Sequence, residues 1–223
     1  MNTTAEELRA ERERMVEEQL AGRGIADGRV LAAMRRLPRE AFIDEAQRIH
    51  AYEDRPLSIG AGQTISQPWM VARMLELAHL DGSERVLEIG AGSGYATALL
   101  VELASEVFAV ERLAPLASAA RTRLRALGHD CEIGVFDGTE GWSEHAPYDA
   151  ILVAAGAPSV PPMLVNQLAD GGRLVIPVGP RGDQRLAVIT RNGGEHHLAW
   201  DTACTFVDLV GRHGWGGPGP ARA

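Results

Sequence analysis

The sequence predicts an α/β fold: a mainly parallel sheet with helices on both faces, a terminal antiparallel hairpin and an N-terminal helical extension. Three observations carry that expectation. From residue 85 onward, short apolar runs alternate with helical stretches, the signature of βαβ units. The first run, RVLEI (85–89), leads directly into the glycine turn GAGSGY (90–95) and then a helix. Acids stand at the carboxyl ends of three consecutive strands, where open parallel sheets bind ligands.

In chain order, residues 5–20 and 28–37 read as helices. The second has Asp27 as N-cap, Val30, Leu31, Met34 and Leu37 at helical spacing, and Pro38 as its stop. Residues 50–67 carry Pro56, Gly60 and Gly62 and show neither helical nor strand period; a loop this long inside a compact chain is usually functional or disordered. Pro68 suits the first position of a helix, where its missing N–H leaves nothing unsatisfied, and Met70, Val71, Met74, Leu75 and Leu77 form its apolar side. Strands then fall at 85–89, 106–110, 131–135, 149–155 and 173–179, with helices after the glycine turn and around 115–127. QRLAVITR and HHLAW form the hairpin through Asn192-Gly193-Gly194. The expected organisation is a helical extension with an active-site loop (1–80), an α/β domain (81–211) and a Gly/Pro-rich flexible tail (212–223).

Bulk properties narrow the function. The chain has 223 residues, 45% of them hydrophobic, which is enough for one sizeable core. No run approaches the roughly 18 apolar residues of a membrane span, and the charged N-terminus lacks a signal-peptide core, so a cytoplasmic protein without membrane partners is expected. A formal charge of -8 argues against a nucleic-acid surface. Cys131 and Cys204 lack ligand spacing and are expected as buried thiols; no HxxxH or CxxC occurs, so no metal is expected. No apolar stripe is left over, which favours a monomer.

The glycine turn excludes several chemistries. A dinucleotide fingerprint would need a glycine where Tyr95 stands, no GxxxxGK[ST] exists, and Ser93 lacks the flanking glycines of a nucleophile elbow. What is left is E-x-G-x-G-x-G, with Glu88 two residues before Gly90. A carboxylate there would repel a pyrophosphate but suits a cationic ligand without phosphate, as S-adenosylmethionine is. Glu111 ends the second strand about 20 residues on, the place of an acid that accepts ribose hydroxyls, and Asp137-Gly138 follows the third, within reach of an adenine edge. An NAD-dependent oxidoreductase would share Glu111 but not Glu88.

Nearly the whole chain, from about residue 12 to 215, resembles the protein-L-isoaspartate (D-aspartate) O-methyltransferase family. The similar segments include YEDRPLSIGAGQTISQPWMVARMLELA, RVLEIGAGSGYATALLVELA, DGTEGW, APYDAILVAAGAP and LVNQLADGGRLVIPVG, with TISQP the most specific. The resemblance implies a Rossmann-like class I methyltransferase fold and S-adenosyl-L-methionine as cosubstrate. It implies methylation of the free α-carboxylate of L-isoaspartyl residues in extended peptides or damaged proteins, and leaves open whether D-aspartyl residues are accepted as well. It further implies Ser66 as active-site serine, and Glu88, Gly90, Gly92, Glu111, Asp137 and Gly138 around the cofactor. Phe136, Ala154, Thr205 and Asp208 depart from the family's usual Gly, Thr, Arg and Pro. The last two leave open a dedicated modifier of one biosynthetic peptide or of a small carboxylic acid.

The chemistry accounts for the uncharged QTISQ stretch. An α-carboxylate, with a pKa of about 3.3–3.7, is ionised at neutral pH and needs no general base. Its attraction to a sulfonium, on the order of 4 kcal/mol at 4 Å and an effective dielectric near 20, vanishes as the charges cancel. A cationic clamp on the acceptor would therefore oppose reaction, whereas neutral donors such as the Ser66 hydroxyl can orient the oxygen. A serine before Pro68 could equally cap the following helix by accepting the Trp69 or Met70 N–H.

Overall fold

The structure is a computed structural model and describes residues 4–216. Helix α1 (Ala5–Arg14) opens with a capping box between Thr4 and Glu7. It runs on as a π turn (Met15–Leu20) and a 3-10 turn (Ala21–Arg23), burying Met15, Val16 and Leu20. Asp27 caps α2 (Gly28–Arg36), accepting the Arg29 and Val30 N–H groups, and Val30, Ala33 and Met34 face inward.

The segment expected as an aperiodic loop holds structure. Short 3-10 turns (Arg39–Phe42 and Glu45–His50) precede an antiparallel hairpin of β1 (Leu57–Gly60) and β2 (Gln63–Ile65). Strands of four and three residues are too short to display a period, and Gly60 and Gly62 turn the chain at positive φ. Helix α3 (Pro68–Ala78) follows with Pro68 in its first turn.

The main sheet has seven strands in the order β5-β4-β3-β6-β7-β8-β9. These are β3 (Arg85–Ile89), β4 (Glu106–Val110), β5 (Glu132–Gly134), β6 (Tyr148–Val153), β7 (Leu168–Val178), β8 (Gln184–Asn192) and β9 (Glu195–Cys204). The first five strands are parallel; β8 runs antiparallel to both neighbours. Helices α4 (Tyr95–Leu103), α5 (Ala114–Ala126) and the short α6 (Pro162–Asn166) make the β3–β4, β4–β5 and β6–β7 crossovers, and 3-10 turns (Gly138–Glu140 and Ser143–His145) make the return from β5 to β6. β7 begins five residues earlier than the sequence suggests, because Gly171 and Gly172 mask it. The chain leaves β3 toward β5, then crosses back to β6 on the other side of β3. A crevice opens at that reversal, at the strands' carboxyl ends.

Alternate strand residues feed two cores. Val86, Ala109, Ala150 and Leu152 pack in one cluster with Leu8, Met15, Met34, Met74 and Leu99, so the N-terminal extension shares its core with the sheet. Leu87, Ile89, Val110, Ile151 and Val153 pack on the other face with Trp142, Leu164 and Leu168. Cys131 and Cys204 are half-buried rather than buried, since Cys131 starts the sheet-edge strand's approach and Cys204 ends the exposed β9.

Of the expected flexible tail, residues 217–223 lie outside the described residues. Residues 212–215 are held. Arg212 N donates to Asp137 Oδ2 (2.7 Å), His213 N to Thr139 Oγ1 (3.1 Å), and the Trp215 indole N–H to the Gly156 carbonyl (2.9 Å).

Candidate active site

A cleft of about 1030 Å³, counting its open mouth, lies over the tips of β3, β4 and β6. Its floor is the glycine turn. Gly90 N and Ala91 N donate to the Val110 carbonyl (2.8 and 3.2 Å), which bends the chain away from the sheet toward α4. A Cβ on Gly92, at φ +53°, would sit 3.3 Å from Ile59 Cδ1 of β1, and one on Gly138 would sit 2.6 Å from Ile89 Cγ2. Both positions therefore need glycine, the first for its φ and the second for close approach.

Glu88, near the end of β3, is 1% exposed and lines this cleft. The Thr97 hydroxyl of α4 donates to its Oε2. Burial, with a smaller push from nearby Glu111 and a counteracting Thr97 bond, drives its pKa up to about 8. No salt bridge to Glu88 occurs among the described residues, so the structure holds an acid whose charged form lacks a counter-ion. Glu111, also buried, accepts Gly92 N–H at Oε2 (3.0 Å) and Leu113 N–H at Oε1 (2.9 Å), tying the tip of β4 to the glycine turn. A cleft with two buried carboxylates, neither paired with a cation among the described residues, fits a ligand that is positive and carries hydroxyls.

Ser66, Gly90, Gly92, Glu88, Glu111 and Gly138 thus meet around one cleft. Asp137 does not line it. Its Oδ1 accepts Thr139 N–H and Oγ1–H (2.9 and 2.7 Å) and its Oδ2 accepts Arg212 N–H. Although partial burial opposes ionisation, these bonds hold its carboxyl below the ordinary carboxylate range. Its side chain caps the turn at Gly138 and anchors the main chain at Arg212.

A second chamber, about 1300 Å³ with its mouth, adjoins the first, and both are lined by Thr64, Ser66, Ala154 and Val207. Among the described residues, its one charged lining residue is Asp183. Among the described residues, the one cation lining the cleft is Arg112, which is exposed and follows Glu111. Where the chambers meet, the lining is neutral. Ser66 is half-buried, and the helix cap that it could have supplied comes instead from Asp54, whose Oδ1 accepts Trp69 N–H (3.3 Å). Asp54 also accepts the Gln67 side-chain amide (2.7 Å) and pairs with Arg23.

Residues 207–210 roof the cleft. Val207 and Leu209 bond Gly156 from either side (2.8 Å each), Asp208 pairs with Arg181 (2.8 Å), and Arg181 covers the Trp215 ring at 4.2 Å. Thr205 lines the second chamber, whereas Phe136 packs edge-on against Trp142 and lines neither. Sequence reading missed Asp54 and Ile59. In a stretch without period nothing distinguishes a capping aspartate from a solvated one.

Comparison with known proteins agrees with this geometry. The family described as Protein-L-isoaspartate(D-aspartate) O-methyltransferase (PCMT) matches residues 10–214. A Protein-L-isoaspartate O-methyltransferase 2 of Pelobacter propionicus is 55% identical over 207 residues, 92% of either chain. A Protein-L-isoaspartate O-methyltransferase of Geobacter metallireducens is 54% identical, covering 92% of this chain and 96% of that one. Among solved structures, a protein-L-isoaspartate O-methyltransferase superposes with a TM-score of 0.83 at 28% identity, over 91% of this chain and 67% of the other. A Plasmodium falciparum structure, described as a PCMT in complex with S-adenosyl-L-homocysteine, gives 0.77 at 28% identity, over 89% and 98%. Fold, cleft and sequence relationship converge: this chain belongs to the protein-L-isoaspartate(D-aspartate) O-methyltransferase family.

Proposed function

We propose that this protein uses S-adenosyl-L-methionine to methylate the free α-carboxylate of L-isoaspartyl residues, initiating repair of damaged proteins and peptides. The observation that carries the reading is the paired chambers meeting at Ser66: buried acids in the chamber for a cationic donor and an uncharged border of Thr64, Ser66, Ala154 and Val207 where an anionic acceptor would meet it. The donor supplies a methyl group on a sulfonium; the acceptor oxygen bonds that carbon as the carbon–sulfur bond breaks, and the electron pair goes to sulfur. Glu88 faces the donor's positive end, Glu111 accepts its ribose hydroxyls, and Gly90, Gly92 and Gly138 let it approach the backbone. Asp137 acts through the Gly138 turn that it caps.

Ser66 is the catalytic residue in this reading. Its hydroxyl orients the acceptor oxygen for in-line attack without stabilising the charge that the transition state loses. Ordinary aspartate is ionised as well, so selectivity rests on the shape of the second chamber, which would take the substrate as an extended segment. The ester formed is a better leaving group than a carboxylate, so the following backbone nitrogen can close a succinimide whose hydrolysis returns some normal aspartate.

We further read the protein as a cytoplasmic monomer, with both thiols free as in a reducing compartment. No helix among the described residues is long and apolar enough to cross a membrane. The test is a labelled-donor assay on peptides that differ only in aspartyl or isoaspartyl linkage, alongside calorimetry with S-adenosylhomocysteine. Label on the isoaspartyl member alone is expected. Equal labelling of both, or of neither despite tight cofactor binding, would reject the repair reading.

A further inference from the structure

Arg39 stands where a charge is hardest to keep. It follows the stop at Pro38, opens the 3-10 turn Arg39–Phe42 and has 0% exposure. No carboxylate pairs with it among the described residues. Its Nε donates to the Ala51 carbonyl and its Nη2 to the Ser66 carbonyl, both at 2.8 Å. Its guanidinium also lies over the ring of Tyr95, 5.1 Å from the centroid. Tyr95 closes the glycine turn and lines the donor cleft.

One planar group thereby joins three places. Ala51 and Ser66 bracket the segment that carries β1 and β2, and Tyr95 begins α4. Burial pushes the Arg39 pKa down to about 10, opposed by the nearby Tyr95, Tyr52 and Asp54, so the group is cationic at neutral pH. A buried ion is a poor means of filling space, since apolar residues of like volume are often as stabilising or more so. A fork that reaches two carbonyls at once is something that a hydrocarbon cannot supply and a lysine supplies only in part. The surroundings are polar too: Arg39 Nη1, Arg12 Nε, Gln19 Oε1 and the Tyr95 hydroxyl have no partner among the described residues, and the nearby Tyr52 hydroxyl donates to Glu40.

We propose that Arg39 is a positioning residue for methyl transfer, a buried strut that sets the spacing between the Ser66 segment and the glycine turn. It rests on the reading of Ser66 as the acceptor-side residue. Arg39 touches neither reactant and lines neither chamber. It acts through the Ser66 main chain on one side and the Tyr95 ring on the other. A loss of this strut leaves the donor cleft's acids in place but lets the acceptor wall drift, and a drift near 1 Å lowers turnover by about 10²-fold.

The test uses the full chain with Arg39→Lys, Arg39→Met, Arg39→Ala and, in parallel, Ser66→Ala. Expected for Arg39→Lys is a fall in kcat of about tenfold on an isoaspartyl peptide, and for Arg39→Met about 10²-fold. The S-adenosylhomocysteine Kd should stay within about threefold in both, because its contacts lie on the strand tips. Millimolar guanidinium should restore part of the kcat of Arg39→Ala and none of that of Ser66→Ala. Wild-type kcat in Arg39→Lys overturns the proposal, and so does a parallel decline of kcat, cofactor affinity and thermal stability, which marks a purely structural residue. If Arg39→Met does not fold, Arg39→Lys decides alone. An unaffected Ser66→Ala beside a slow Arg39→Lys supports the strut and removes the Ser66 assignment; the reverse pair of results keeps Ser66 and removes the strut.

Discussion

The two walls of the cleft are built on opposite principles. The donor wall is strand tips: Glu88, Glu111 and the glycine turn sit in the register of β3 and β4, their acids held by Thr97, Gly92 and Leu113. The acceptor wall is a small hairpin, a proline-started helix and a strap from the C-terminus, with no charge at their meeting point. A cationic donor can be recognised by charge from several directions. An acceptor that is already ionised needs no base and gains nothing from a counter-ion, so its wall must discriminate by shape. The lesson is that charge lines the first chamber, while at the border with the second it is hidden behind the lining, in Asp54 and Arg39; Asp183, which lines the second chamber, is not part of that border.

The largest effect should come from the donor wall. Glu111→Ala leaves the Gly92 and Leu113 N–H groups without their charged acceptor, and S-adenosylhomocysteine affinity by calorimetry should fall by about 10²- to 10³-fold; a change under fivefold would mean that the turn is held by other means. Ser66→Ala comes next. Its kcat should fall by about 10- to 10²-fold with cofactor Kd unchanged, because only the acceptor loses a donor. An effect on Kd alone would move Ser66 to the other wall.

Glu88 sharpens the contrast through pH. Below about 8 the empty protein keeps a proton on Glu88 that a cationic donor must expel. Affinity should therefore rise with pH toward 8 by up to about tenfold per unit and then level. In the empty protein the sign is opposite. The folded pKa lies above the unfolded one, so this group's contribution to stability is complete below about pH 4.5 and disappears as pH rises through 8. Glu88→Gln should flatten both profiles, and persistence of the binding slope in that variant would implicate another group. The smallest effect belongs to Asp54→Ala, which removes a helix cap for about 1 kcal/mol in urea melts while leaving cofactor binding alone.

The donor wall was largely legible in the sequence, since strand, glycine turn and strand-end acid lie within a few residues of one another and obey a fixed geometry. Asp137 shows the limit of that reading. A motif locates the residue but not the direction of its side chain, and here the carboxylate turns to Thr139 and Arg212. The acceptor wall was legible only as a polar run before Pro68. Its hairpin is too short to have a period, and its supports come from Arg39 and Asp54, whose burial depends on contacts 15 to 27 residues distant. The cap that might have explained Ser66 was supplied by Asp54, which no local pattern announces.

The narrow border between the two chambers has a kinetic consequence. Among the described residues the two chambers share only Thr64, Ser66, Ala154 and Val207, so on the proposed reading each reactant has its own compartment and neither must vacate for the other. Turnover then proceeds only from a ternary assembly, and initial-rate lines at varied donor should intersect rather than run parallel. The demethylated donor should accordingly compete with fresh donor while leaving the peptide's compartment accessible.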